Sequence, residues 1–580
     1  MSHRDVPLVA DIHRAGVNRR RTAASPDEGT RRHTTRAAAP TVGLILFSAY
    51  TGWRSSGFST HRAVTHVRLA LPGSLQDQSV DPPHKAPLPC IPPSSFNVVR
   101  ESGHGDNSTY PQGLGDDGTK FSNYYVSNSL CCPSRASMFT GRFPHNTGVA
   151  TNLNSDRGGY QAFAPHEPRT YAVSLAQAGY RTGYLGKYIN EYPVKDANYH
   201  VPPGWDEWHV AAGGGYNEFR YELTRYVKGD EPGLDSSDGT YLVDELGKRA
   251  TDFIARSRER APGRPFFLQV SPFAPHSRLG YKPGDKEPHF PPARRDRPKT
   301  QFPAGEFPNG DCGGPDCNGI DVSKLPAFDE DTADKPSWVR RAPLAPALVK
   351  TLRKDFRDRI RMVQSVDDMV ERVLGTLTDA EKRNTYVVFT SDNGFHLGQH
   401  RLERGKSTAY DHDVRVPLLV KRPTAGRSGD VVTDAIAQNV DLFATFLDMA
   451  GVGAATRDSR DGRSLLPLIQ GKKAKNWRKT ALIEHVKPNP AGSGESDPDA
   501  EPVQAENSQP PSYAAVRTAG ELYVEYEGEA KPEYYDTVAD PNQESNDPDN
   551  ARTAGLGKVL DTLATCGKPG TPDCWTAARR

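Results

Sequence analysis

The stretch Leu130-Cys131-Cys132-Pro133-Ser134-Arg135-Ala136-Ser137-Met138-Phe139-Thr140-Gly141-Arg142 gathers residues suited to one kind of chemistry. Pro133 and Ser134 suit the first turn of a helix, where the missing N–H of proline is harmless, so Cys131 is expected just ahead of a helix N-terminus. Free N–H groups and the helix dipole favour an anion at that place. Arg135 adds a fixed positive charge one turn further in. A nucleophile at Cys131 would therefore face a bound oxyanion such as sulfate or phosphate. Read alone, Cys131-Cys132 is also compatible with a buried thiol pair or a metal-binding pair. A second group, Thr390-Ser391-Asp392-Asn393-Gly394-Phe395-His396, follows an apolar run. A carboxylate beside an amide oxygen suits Ca²⁺, which takes hard oxygen ligands in flexible geometry; an isolated Asp-Asn is also an ordinary Asx turn.

Such groups need a frame to bring them together. Tyr171 to Ala178 reads as a helix leading through Gly179 into an extended run, Arg181 to Tyr188, and Pro265 to Val270 reads as an apolar strand. Between Ile360 and Leu377 the residues Val363, Val366, Val370, Val373 and Leu377 recur at spacings of three and four, the period of an amphipathic helix. Tyr386 to Thr390 and Val416 to Val420 read as strands and Val440 to Met449 as a helix. Helices alternating with buried strands predict an α/β fold with helices on both sheet faces, and polar groups in such folds collect at strand ends. Beyond about residue 475, a Pro/Glu/Ser/Asp-rich loop precedes Tyr513 to Arg517 and Leu522 to Tyr526, which predict a small antiparallel sheet. The chain thus divides at the sequence level into residues 1–95, rich in Arg, His, Ser and Pro and read as disordered or as a segment outside the family fold; a catalytic domain, 96–475; and a C-terminal subdomain, 476–580.

Cys131-x-Pro133-Ser134-Arg135 followed by Thr140-Gly141-Arg142 resembles the signature of the formylglycine-dependent type I sulfatases. The resemblance implies an alkaline-phosphatase-like α/β/α sandwich and a sulfuric ester hydrolase. It implies that Cys131 is oxidised to Cα-formylglycine (3-oxoalanine) by a formylglycine-generating enzyme, with Pro133 and Arg135 in the modification signal. The hydrated aldehyde would attack sulfur, and elimination of sulfate would restore the aldehyde. It further implies one Ca²⁺ held by Asp392, Asn393 and the modified Cys131, with Asp392 helping to deprotonate the nucleophile. Arg135, Lys187 and Lys406 would hold the charge of the sulfate group, and His276 in Ala274-Pro275-His276-Ser277 would protonate the leaving oxygen. Asn190 and His396 fall to substrate binding. Gly186-Lys187-Tyr188-Ile189-Asn190-Glu191-Tyr192 and Pro202-Pro203-Gly204-Trp205-Asp206-Glu207-Trp208 are similar to the N-acetylglucosamine-6-sulfatase and heparan endosulfatase branch. That branch implies a sulfated sugar, N-acetylglucosamine-6-sulfate-like, as substrate. Many arylsulfatases carry a histidine where Ile189 stands, so its proton-transfer role must pass elsewhere, or to Asn190 as a binding group. Trp205 and Trp208 are read either as sugar-stacking or as loop-packing residues.

Composition bounds these readings. The 580 residues carry 73 basic and 72 acidic side chains, a balance that argues against nucleic-acid binding. Hydrophobic residues make up 36% and no apolar run reaches membrane-spanning length. Cys312 with Cys317 and Cys566 with Cys574 read as local disulfides, hence a secreted or otherwise extracytoplasmic chain, although the N-terminus shows no clean signal peptide.

One part of the family pattern is missing. Sulfatases open with an apolar strand ending in Asp-Asp, two more Ca²⁺ ligands. Here Val42 to Phe47 is a plausible strand but runs into Ser48-Ala49-Tyr50, and Asp116-Asp117 lies between glycines in the wrong setting. A shifted reading frame or misassigned start across the first 95 residues would explain this; comparing the coding DNA in three frames tests it. Three alternatives stay open: an arylsulfatase, a phosphoester or phosphonate hydrolase on the same scaffold, or an inactive sulfated-glycan-binding homologue.

Overall fold

The computed structural model describes residues 43–48, 118–194, 198–237, 239–282, 284–296, 321–423, 431–453, 460–473, 475–488 and 509–580. Strand β1 (Gly43–Ser48) shows the logic of the sheet. Leu44 and Leu46 enter one hydrophobic core, and Ile45 and Phe47 enter another. Period-two alternation with both faces apolar marks a strand covered on both sides. Strands β8 (Phe266–Ser271) and β9 (Thr385–Thr390) flank it in parallel, and β4 (Arg181–Gly186) and β5 (Glu207–Gly213) extend the parallel set beyond β8.

Antiparallel pairing enters on both sides of this parallel set. On one side lie β6 (Tyr221–Val227) and β7 (Gly233–Ser237); on the other, β10 (Leu418–Lys421) pairs with β9, followed by β2 (Gly118–Phe121) and β11 (Val431–Thr433). The ten-stranded order is β11-β2-β10-β9-β1-β8-β4-β5-β6-β7. A separate two-stranded pair joins β3 (Tyr124–Tyr125) to β12 (Ala437–Gln438).

Helices α1 (Cys131–Thr140), α2 (Tyr171–Gln177) and α5 (Asp441–Met449) contribute to the core that holds Leu44 and Leu46. Helices α3 (Leu242–Arg260) and α4 (Pro346–Gly375) contribute to the core that holds Ile45 and Phe47. The result is the three-layer α/β/α sandwich expected. Helix α4 starts well before the expected Ile360, because Leu348, Leu352 and Phe356 continue the same apolar stripe back to Pro346 at its first turn. Asp367 on that helix belongs to no solvated face: it is buried, and burial raises its carboxyl to about 8.

The four-stranded antiparallel sheet is β13 (Ala481–His485), β14 (Tyr513–Arg517), β15 (Glu521–Tyr526) and β16 (Glu533–Asp536). Helix α6 (Thr553–Leu563) packs on it. Ile483, Ala515, Leu522 and Val524 from this sheet also enter the core beneath α1, so residues 41–580 form one compact unit. The expectation that residues 1–95 lie outside the fold fails for Gly43–Ser48, whose four-residue apolar run is buried at the sheet centre. Asp116-Asp117 and Cys312 with Cys317 lie outside the described residues. Cys566 and Cys574 form a disulfide. Among the described residues no helix is long and apolar enough to cross a membrane.

Candidate active site

Strands β4, β8 and β9 are mutually parallel, so the residues that follow them emerge along one edge of the sheet. Lys187 follows β4, His276 lies past β8, and Asp392 follows β9. Gly186 lets β4 end against β8: its φ is 100°, and a Cβ there would stand 2.0 Å from the Ser271 carbonyl oxygen. Lys187 N donates to that same carbonyl at 2.7 Å, which fixes where its side chain leaves the sheet.

Helix α1 comes to this edge with its N-terminus. All ten of its residues are buried, and Gly141 closes its far end in the left-handed conformation. Arg135, one turn in, donates from Nε to Asp392 Oδ2 at 2.7 Å and from Nη1 to the Lys187 carbonyl at 2.7 Å. The Ser134 hydroxyl donates to the Asp392 carbonyl, and Cys132 N donates to Asn152 Oδ1 at 2.9 Å. Arg135 therefore ties α1 to both β4 and β9.

The centre is Cys131. Lys187 Nζ donates to its Sγ at 3.2 Å and Lys406 Nζ at 3.1 Å, from segments far apart in the sequence. Cys131 has no exposed surface, and Lys187 and Lys406 are buried. Two ammonium groups and a helix N-terminus thus surround one small side chain. An anion seated here would be met by fixed positive charge in a setting where water competes little.

Asp392 balances that charge. Burial would raise its carboxyl, but Arg135, Lys187 and Lys406 outweigh burial and hold it below the usual range. Burial likewise opposes the Arg135 charge, and Asp392 more than restores it. Asp392 Oδ1 accepts from Asn393 N at 3.0 Å. Asn393 Nδ2 donates to the Gly394 carbonyl at 2.8 Å, while its buried Oδ1 receives no hydrogen bond. An orphaned amide oxygen next to an ionised carboxylate is the environment of a hard cation, so these residues fit part of a Ca²⁺ shell. Ca²⁺ takes about six to eight oxygens, more than these two residues supply.

Lys406 is braced from behind by groups the motifs did not announce. Arg404 pairs with Asp355 of α4 at 2.9 Å, both buried. His396 and Gly405 exchange backbone hydrogen bonds at 2.8 and 3.1 Å. The His396 ring is held by Asp413 at 3.0 Å, and Asp413 also accepts from Thr408 N and Oγ1. The structure therefore joins His396 to Asp413 and the Lys406 turn, not to Cys131.

His276 is buried, with Nδ1 2.8 Å from the Ser277 carbonyl oxygen, and Arg359 Nη1 donates to the Pro275 carbonyl at 2.9 Å. Tyr216 links it to the rest: its ring lies 4.7 Å from the His276 ring and 4.8 Å from Lys187 Nζ. No motif in the sequence pointed to Tyr216. Asn190 is buried, and its carbonyl accepts from Tyr160 N at 2.8 Å. Ile189 packs in the core under α1, so the position holds no proton-transfer group. Trp205 and Trp208 are 6% and 0% exposed. The Trp208 ring packs on Tyr184 at 4.9 Å and Tyr188 at 4.7 Å, so the loop-packing reading holds and no sugar stacks there.

The sulfatase family model matches residues 102–452. An N-acetylglucosamine-6-sulfatase of Capra hircus is 32% identical over 486 residues, covering 79% of each chain. An extracellular sulfatase SULF-1 homologue of Drosophila melanogaster is 35% identical over 381 residues, 64% of this chain and 30% of that protein. A structure solved with its substrate D-glucosamine-2-N,6-O-disulfate superposes with a TM-score of 0.56 at 20% identity, over 90% of this chain and 96% of that one.

Proposed function

From the premise that this chain belongs to the sulfatase family and is a sulfuric ester hydrolase, we propose that it removes sulfate from a sulfated sugar of the N-acetylglucosamine-6-sulfate type. In this reading Cys131 is oxidised to Cα-formylglycine, and Ca²⁺ is bound through Asp392 and Asn393. The observation that carries it is the convergence of Lys187 and Lys406 on the Cys131 sulfur, at 3.2 and 3.1 Å. That sulfur marks the place of the oxygens of a formylglycine hydrate, which would supply the nucleophile once formed; bound Ca²⁺ would supply further positive charge at the sulfate oxygens.

The chain's own residues do the rest. Lys187 and Lys406 hold sulfate oxygens and offset charge that builds on them, the form of stabilisation that dominates many enzymes. Arg135 fixes Asp392 as an ionised carboxylate whose negative charge is available to a bound cation. His276, oriented by the Ser277 carbonyl on Nδ1, keeps Nε2 for the leaving oxygen. The sugar assignment draws on the relatives in the N-acetylglucosamine-6-sulfatase group.

Cys131 has no exposed surface, so a formylglycine-generating enzyme must meet it before the fold closes around α1. The Cys566–Cys574 disulfide supports an extracytoplasmic location for the mature chain. Two measurements test the proposal. Peptide mass spectrometry across Asn128 to Arg135 should find an aldehyde in place of the thiol. Purified protein should release sulfate from N-acetylglucosamine-6-sulfate in preference to 4-nitrophenyl sulfate and 4-nitrophenyl phosphate. An unmodified thiol, or preference for the phosphate ester, sinks it.

A further inference from the structure

The turn between β5 and β6 is built against ordinary backbone preference. Gly214, Glu218 and Arg220 take φ values of 68°, 59° and 55°, and a Cβ on Gly215 would stand 2.6 Å from the Phe273 ring. Glu218 has no exposed surface, and its carboxyl faces the backbone amides of Val243 and Ala274. Left-handed non-glycine residues and buried carboxyls both cost stability. Segments of this kind persist where the surrounding structure holds them in place for function.

What this segment delivers is Tyr216. Strand β5 is parallel to β4, so its turn opens on the same edge as Lys187 and His276. The half-buried Tyr216 ring lies 4.8 Å from Lys187 Nζ, a cation–π distance, and meets the His276 ring edge-on at 4.7 Å. Phe273 backs it at 4.8 Å. Lys187 addresses the sulfate group and His276 the oxygen that leaves. A ring touching both, with part of its surface open, stands where the esterified group joins the sulfate. The two tryptophans the sequence offered for that role are buried in the core.

We infer that Tyr216 is a specificity-determining residue whose ring packs against the C–H face of the sugar carrying the sulfate. The inference rests on the proposed function for its choice of ligand. An aromatic ring gives a pyranose an apolar surface that an inorganic anion cannot use. The contrasting role is purely positional: a ring that only holds Lys187 in place would affect sulfate and sugar sulfate alike.

Calorimetric titration of the full-length protein carrying Cys131→Ala, the parent for these binding measurements because it cannot consume the ester, with inorganic sulfate and with N-acetylglucosamine-6-sulfate separates the two. The parent should bind the sugar sulfate about tenfold tighter than sulfate or better. Tyr216→Ala and the larger, aliphatic Tyr216→Leu should each lose that gain, bringing the two ligands to within about threefold. Tyr216→Phe, which keeps the ring, should retain it. Thermal melting of each variant confirms the fold, and Tyr216→Leu decides if the alanine variant is unstable. The inference is overturned if the gain survives in both ring-deleted variants, if both ligands weaken by the same factor, or if the parent gains nothing from the sugar. Sulfate release by the protein with Cys131 intact is read separately: a ring-dependent gain without turnover leaves this inference intact and defeats the catalytic proposal.

Discussion

Asp392 and Glu533 are both buried carboxylates, and their surroundings differ in kind. Asp392 lies among Arg135, Lys187 and Lys406, which overcome burial and keep it ionised. Glu533, in the four-stranded sheet, accepts hydrogen bonds from Tyr410 and Tyr526 at 2.7 Å and from Tyr535 at 2.6 Å. There burial prevails: the three phenols and Lys335 offset only part of it, and the carboxyl is raised above its ordinary range. Neutral donors satisfy a buried acid without paying for its charge, whereas cations at a strand end keep the charge available. The first arrangement stabilises a sheet; the second prepares a site for an anion.

The largest expected effect comes from the centre of the charged cluster. Cys131→Ala should lower sulfate release from the sugar ester by about 10⁴-fold or more, with the melting curve confirming a folded chain. Removing either cation should have the next effect: Lys187→Ala or Lys406→Ala should lower kcat by about 10²–10³-fold, with smaller changes in KM. Steady-state kinetics checks this, and a change confined to KM would mean that these lysines serve binding alone.

Stability variants then sharpen the contrast between the two acids. Asp392→Asn strands the buried Arg135 guanidinium, so urea unfolding should show a loss of about 3–5 kcal/mol. Calorimetry should also show Ca²⁺ binding lost. Glu533→Gln should cost less than about 1 kcal/mol at neutral pH, since the amide still accepts from phenols. Equal losses would break the comparison. The smallest effect is in pH dependence. A carboxyl with a raised folded-state value stabilises the fold fully below its ordinary range, and that contribution is lost as pH rises through the raised value. Unfolding of the parent between pH 4 and pH 9 should therefore show a decline toward high pH that Glu533→Gln flattens; an unchanged slope rules out Glu533 as its source.

Much of the charged cluster is legible in sequence because each member follows an apolar run or stands in a short motif. Lys187, His276 and Asp392 each come after a strand that the residues announce, and Cys131 and Arg135 share one helix start. The groups that brace them are not legible. Asp355 lies in the middle of a long amphipathic helix and meets Arg404 only because α4 packs across the sheet. Tyr216 sits in a glycine-rich turn with no chemical signature, and Trp205 and Trp208 look like ligand-binding residues until their burial is seen. Strand β1 is legible as the plausible strand Val42 to Phe47, but its surroundings do not read as globular, so its place in the sheet is not.

By itself the sequence determined the alternation of strands and helices, the polar residues at strand ends, and the Cys131 to Arg142 motif, because each is a local pattern of side-chain period or spacing. Only the tertiary structure decided that Lys187 and Lys406 meet on one sulfur, and that Tyr216 rather than a tryptophan stands beside them. Those outcomes depend on the parallel order β9-β1-β8-β4-β5. That order is fixed by pairing and packing between residues far apart in the chain, which no local pattern encodes.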